Sequence, residues 1–153
     1  MDFLVVFFGT YLIWIEVVVV LVWLARAHKP LYTARFAALS LALSYIVGKA
    51  ASLVWYDPRP FVEGNFTPLI AHAANNGFPS DHMLLAAAMA ATVTYFDRKW
   101  GAALWIMAIL IGFSRVAAGV HHLADIAASA VIAVAVVMIV GVIFKRFQKE
   151  VQP

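Results

Sequence analysis

Cysteine is absent from this chain, and charge is scarce: Asp, Glu, Lys and Arg make up 12% of 153 residues. Without cysteine there are no disulfides, no thiol nucleophile and no thiolate-ligated metal. Soluble domains carry about a quarter charged residues, and the deficit here is matched by a 65% hydrophobic composition. One small core cannot hide that much apolar surface. The composition therefore implies an integral membrane protein, built as a single domain over residues 1–153. The net charge of +3 is small and falls in short clusters, which suits membrane-flanking loops and argues against a nucleic-acid partner. Internal repeats and low-complexity tracts are also missing. No cleavable signal peptide is expected, because Arg26, His28 and Lys29 follow the first apolar run instead of preceding it.

What is present is a set of five continuous apolar segments, at about 3–25, 33–54, 81–96, 100–113 and 123–144. They predict an all-α polytopic bundle of about five transmembrane helices; strands would alternate. At 1.5 Å per residue the first, second and fifth cross a hydrocarbon core of about 30 Å. The third and fourth fall short, which is tolerable if their outer ends lie in a protein-lined cleft. Basic residues collect in the first connection (Arg26, Lys29, Arg35), the third (Arg98, Lys99) and the tail (Lys145, Arg146, Lys149). Five spans put these on one side, the cytoplasmic one, with the N-terminus outside and the C-terminus inside. Trp23, Tyr32, Tyr95 and Trp100 would mark the inner interface, and Trp55 and Tyr56 the outer. The outer loop 55–80 has four prolines and two glycines and no helical period, and irregular loops of this length are often functional.

Three polar clusters fall on that outer side. In Asp57-Pro58-Arg59-Pro60 the prolines end a helix and hold Arg59 in extended backbone, where its guanidinium suits a phosphate. Taken alone, it reads better as an interfacial arginine beside a helix end. In Pro79-Ser80-Asp81-His82, Ser80 is a candidate N-cap and Asp81 suits a first turn, so ordinary capping accounts for both. Free N–H groups at that helix start would also bind phosphate, and His82 can supply a proton. In the third cluster, Arg115 precedes His121 by six residues, and Asp125 lies four beyond. On a helix, positions i and i+4 share a face. Asp125 would then orient one imidazole nitrogen of His121 and leave the other free to attack. His122 has Ile126 at i+4, which cannot orient it, so the spacing selects His121 and leaves His122 a bystander.

Together Arg59-Pro60, Pro79-Ser80-Asp81-His82 and Ser114-Arg115 with His121 and Asp125 resemble the three-part signature of the type 2 phosphatidic acid phosphatase superfamily, over residues 49–125. The resemblance implies a helical membrane enzyme without metal or other cofactor, with its site facing outward. Its membrane members typically have six helices, so one N-terminal span would be missing here. It implies that His121 attacks phosphorus to form a phosphohistidine, Asp125 polarises it, and His82 protonates the leaving oxygen. Arg59, Arg115 and Ser80 would clamp the phosphoryl oxygens. The family lysine expected seven residues before the arginine is replaced by Ser52. Lys49, one turn earlier and about 4.5 Å deeper, would substitute by snorkelling or simply reach the interface. Ser114 would serve the turn.

The segment from His72 to Phe78 and the Pro79–His82 form resemble the undecaprenyl diphosphate phosphatases of the bacitracin-resistance type. The implied partners are a lipid diphosphate or monophosphate and the bilayer of the bacterial cell (inner) membrane, with the site facing the periplasm or exterior. Phosphatidylglycerophosphate and phosphatidic acid remain alternative substrates, and a lipid-phosphate binding or transport protein the non-enzyme alternative. Asp81, His72, Asn75 and Asn76 are candidate substrate contacts, although turn formation would equally explain the asparagines. Glu16 lies inside the first span without an evident cation; a protonated carboxyl, pairing within a homo-oligomer, or a polar path would each accommodate it.

Overall fold

The computed structural model describes the backbone of residues 1–151 and the side chains of residues 1–146, so the Lys149 side chain lies outside the described residues. Seven helices follow one another: α1 (Asp2–Thr10), α2 (Leu12–Ala25), α3 (Pro30–Val54), α4 (Pro60–Glu63), α5 (Asp81–Phe96), α6 (Arg98–Ala117) and α7 (Leu123–Val151). Among the described residues there is no strand, only an isolated bridge between Pro58 and Asn76.

Local chemistry sets the ends of the inner helices. Pro30 sits in the first turn of α3, where its missing N–H costs nothing. Ser80 caps α5, accepting from the Met83 N–H at 3.4 Å. Asp97 ends α5 in extended backbone and caps α6, accepting from the N–H groups of Lys99 (3.0 Å) and Trp100 (3.2 Å).

The centre of the bundle is α5. Ten of its residues, from Met83 to Val93, are buried against α2, α3, α6 and α7. Ala86, Ala87, Ala88 and Ala90 are wholly inaccessible, and such small side chains let the surrounding backbones approach closely. Outward-facing Val131, Met138 and Ile139 on α7 and Tyr45 and Ile46 on α3 are exposed large apolar groups, as a lipid-facing surface requires.

Several expectations need correction. The first apolar run is two helices, bent by 42° between Thr10 and Leu12. The fourth helix is longer than expected and reaches Ala117, because Ser114 and Arg115 face inward and continue it. Ser114 therefore belongs to α6, where its carbonyl accepts from the Ala118 N–H at 2.9 Å, and not to the turn. The outer loop contains the short helix α4. By length and composition α3, α6 and α7 suffice to cross a membrane, and the bent pair would make a fourth; α5, with 16 residues, is about 24 Å long and is enclosed by the others.

The two ends of the bundle differ in chemistry. At one end the first connection, the α5–α6 junction and the α7 tail meet around a cavity of about 580 Å³, where Arg26, Lys29 and Lys145 stand among Trp23, Tyr32 and Trp100. At the other end the 55–80 loop packs on the 118–122 turn: the Phe61 N–H donates to Gly119 and that of Leu69 to Ala118. Gly119, at φ 75°, makes that turn where a side chain would be strained. Glu16 is buried in α2, and neither carboxyl oxygen has a hydrogen-bond partner among the described residues.

Candidate active site

His121 stands in the turn between α6 and α7, 3% exposed. Its Nε2 faces the Arg59 Nη1 at 3.3 Å, and its Nδ1 faces the Asp125 Oδ2 at 3.3 Å. A guanidinium only donates, so Nε2 must accept and present its lone pair. The ring hydrogen then sits on Nδ1 and goes to the carboxylate. This partner-assigned tautomer is the one a nucleophilic imidazole needs. Burial, the largest influence, lowers the His121 pKa; the Asp125 hydrogen bond opposes it, and the charges of Arg59 and Arg115 lower it further. His121 is thereby kept neutral.

His121 precedes α7, so shared helical face does not explain its pairing with Asp125. Asp125 is the third residue of the helix and folds back over its start, where Oδ2 also accepts the His122 backbone N–H at 2.9 Å. This is the carboxylate half of a capping box. The same bond that starts the helix thus aims the carboxylate at His121.

Arg59 is 5% exposed and its guanidinium is spoken for on three sides. Nε donates to Asn75 Oδ1 at 3.0 Å, Nη1 to the Val120 carbonyl at 2.8 Å and Nη2 to the Asn76 carbonyl at 3.1 Å. Arg115, 2% exposed, donates from Nη1 to the Gly9 carbonyl at 3.2 Å, while its Nε and Nη2 have no partner among the described residues. Gly9 also lets Ile70 and α6 pack close against α1: a Cβ there would lie 2.8 Å from Ile70 and 3.5 Å from Ser114.

A cavity of about 310 Å³ opens in front of His121 and is lined also by Arg59, His72, Asn75, His82 and Lys49. His82, in the first turn of α5, makes no hydrogen bond to the described residues. His72 meets the His121 ring edge-on with centroids 6.2 Å apart. Burial and then the Arg59 charge push the pKa of His72 down to about 4, against the pull of its bond to the Ala73 carbonyl, so it is neutral at pH 7. Lys49 reaches the cavity rim and is held there by both Asp81 oxygens at 2.9 Å. Ser80, Arg115 and Asp125 lie behind the lining. Ser80 is fully buried and is occupied with capping.

One grouping escaped the sequence reading. His122 is no bystander: its Nδ1 lies 2.8 Å from Asp57 Oδ2 and its Nε2 3.4 Å from Glu63 Oε2. Helical spacing could not find Asp57, which is 65 positions away. Asp57, His122 and Asp125 bring one ligand atom each within 4.8 Å of one another, a grouping able to hold a small cation, whereas the sequence showed no carboxylate cluster. Asn76 takes the loop-forming alternative: its Oδ1 accepts from the Asp57 and Phe78 N–H groups and its Nδ2 donates to the Ser52 and Trp55 carbonyls. Its amide is used up in stapling the loop. Asn76 is thus a scaffold residue and Asn75 a ligand of Arg59.

The profile of the PAP2 superfamily matches residues 33–149. Undecaprenyl-diphosphatase BcrC of Bacillus subtilis (strain 168) is 35% identical over an alignment covering 100% of this chain and 78% of that protein. A Bacillus licheniformis protein named bacitracin transport permease protein BcrC is 32% identical over 75% of this chain and 57% of its own length. Among solved structures, Aquifex aeolicus LpxE superposes with a TM-score of 0.74 at 22% identity, covering 92% of this chain and 86% of that one. A PAP2-type phosphatidylglycerolphosphate phosphatase from Bacillus subtilis superposes with a TM-score of 0.56 at 18% identity, covering 97% and 75%.

Proposed function

The chain belongs to the PAP2 superfamily, and from that membership we propose that it hydrolyses undecaprenyl diphosphate to undecaprenyl phosphate and inorganic phosphate, recycling the lipid carrier of the cell wall without a metal. The observation that carries this reading is the His121 ring at the cavity wall, buried between Arg59 and Asp125, whose partners put the ring hydrogen on Nδ1 and leave Nε2 the nitrogen without one. A relative named undecaprenyl-diphosphatase supplies the substrate. The protein would lie in the bacterial cell membrane with five spans, α5 counted among them, and the cavity outward. The collection of Arg26, Lys29 and Lys145 at the opposite end supports that orientation.

In the proposed reaction the Nε2 lone pair of His121 attacks the terminal phosphorus. The new P–N bond forms as the bridging P–O bond breaks, and the departing oxygen takes the bond's electron pair and a proton from His82. Asp125 stabilises the positive charge gained by the imidazole. Water then attacks the phosphohistidine and gives a proton to His82, and the P–N electron pair returns to Nε2. Arg59, Arg115 and the amides at the start of α5 would bear the phosphoryl oxygens, with Ser80 holding those amides in place. Lys49 would stand in for the displaced family lysine. Donors fixed before the substrate arrives are usually the largest contributors to such a barrier reduction.

The test is phosphate release by the purified protein in detergent with a chelator present. Undecaprenyl diphosphate is expected to be hydrolysed faster than phosphatidylglycerophosphate or phosphatidic acid. A faster glycerolipid would move the substrate assignment. Binding without any release would favour a transport role, the role in the name of the Bacillus licheniformis relative; against it stands the His121–Asp125 pair, which a binding site does not need.

The pH profile provides a second check. The attacking form of His121 is neutral, and its pKa is lowered. The groups around it are Asp125 of α7, Arg115 of α6, His82 of α5, and Arg59 and His72 of the loop. The half-protonation point of His121 therefore lies below the ordinary imidazole value of about 6.5, and the midpoint of the acid limb of kcat/KM is expected below that pH. An acid limb above it would contradict the assignment.

A further inference from the structure

Two apolar crevices flank α5 just inside the cavity. One, about 180 Å³, lies between α2 and α5 and is walled by Ile13, Trp14, Val17 and Leu85. The other, about 170 Å³, lies between α3 and α5 and includes Leu41 and Tyr45. Both touch Asp81, but His82 lines only the first, and it lines the catalytic cavity as well.

Resting on the phosphatase reading, the geometry points to the α2–α5 crevice as the seat of the substrate's polyisoprenyl chain, with Trp14 and Val17 the residues that select for it. In an in-line displacement the bond to the nucleophile forms opposite the bond that breaks. With His121 on one side of the phosphorus, the leaving oxygen lies on the side of its proton donor, His82. The lipid is attached through that oxygen and must leave the cavity past His82. The α2–α5 crevice shares His82 and Asp81 with the cavity, and its other walls are apolar. It also opens toward the bilayer, where Trp14 is 67% exposed.

The α3–α5 crevice meets the cavity differently. At its mouth Lys49 pairs with Asp81 at 2.9 Å, and its Nζ lies 5.2 Å from the centre of the Tyr45 ring. A hydrocarbon chain passing there would strip water from an ion pair and gain no hydrogen bond in return. The α2–α5 crevice is too small for a whole polyprenyl chain, so it holds the units nearest the diphosphate and the remainder lies among lipid chains.

Val17→Phe fills the proposed path and Leu41→Phe the other. Val17→Phe is expected to lower kcat/KM for undecaprenyl diphosphate relative to p-nitrophenyl phosphate by about tenfold, the scale of a misfit in an apolar pocket. Leu41→Phe should leave that ratio unchanged. Trp14→Ala, at a lipid-exposed position, should shift the ratio in the direction of Val17→Phe. A ratio that moves with Leu41→Phe alone, or with none of the three, overturns the inference. Photolabelling needs no variant: a prenyl diphosphate with a photoreactive first isoprene unit should label α2 and Leu85, and label on α3 overturns the assignment whatever the kinetics. Failure of the unaltered protein to hydrolyse either substrate would instead refute the phosphatase reading, since labelling reports the path without turnover.

Discussion

Alanine in place of His121 is expected to lower phosphate release by about 10⁴-fold or more, because the atom proposed to attack phosphorus is lost. The fold should survive. Asp125 keeps its bond from the His122 N–H, and Arg59 keeps the Val120 carbonyl, so neither buried charge is left without a partner. Thermal unfolding in detergent should therefore move by only a few degrees. His121→Gln, which fills more of the space, provides a second variant if alanine loosens the turn. A nucleophilic role also predicts a phosphoenzyme: rapid alkaline quenching of the wild type with terminally labelled substrate should trap an acid-labile phosphoryl group, and His121→Ala should trap none. Activity undiminished by the substitution would refute the mechanism, and label carried equally by the variant would place the nucleophile elsewhere.

Arg115→Met is expected to separate activity from stability. Arg115 is buried with two nitrogen groups unpaired among the described residues, and a buried donor without a partner costs about 1–3 kcal/mol. Such a group is tolerated where something else completes it, and an arriving phosphoryl group would do so. Methionine fills similar space without that cost. The Tm should hold or rise while kcat falls about 10²- to 10³-fold, the scale for losing one fixed donor to a developing anion. Unchanged turnover would make the arginine structural. A collapse in Tm would mean that its bond to Gly9 chiefly fastens α1 to the bundle.

Whether these features were legible beforehand depended on how local their causes are. The limits of α5 follow from residues adjacent to them, Ser80 at one end, which the sequence offers as an N-cap, and Asp97 at the other. The bend in the first apolar run has no proline to announce it. It accompanies contacts made on Gly9 by Ile70 and Arg115, more than sixty and one hundred positions away. The extent of α6 was underestimated because Ser114 and Arg115 read as the end of an apolar stretch, when they are its inward face. Within the site, His121 and Asp125 are neighbours in sequence and could be paired from it. The partners of His122 and Arg59 are brought to them by the folded loop, and that of Lys49 by the packing of α3 on α5.

The bond from Arg115 to Gly9 joins residues 106 positions apart. In a chain made from its N-terminus, α1 is synthesised long before α6, and the Gly9 carbonyl, in the last turn of α1, has no claim on Arg115 until both are in the membrane together. The proposed phosphate cradle would therefore be finished late, by a segment that contributes no side chain to the cavity. Undocking α1, by a protease or by a crowding neighbour, would disarm the enzyme from behind while every cavity residue stayed in place.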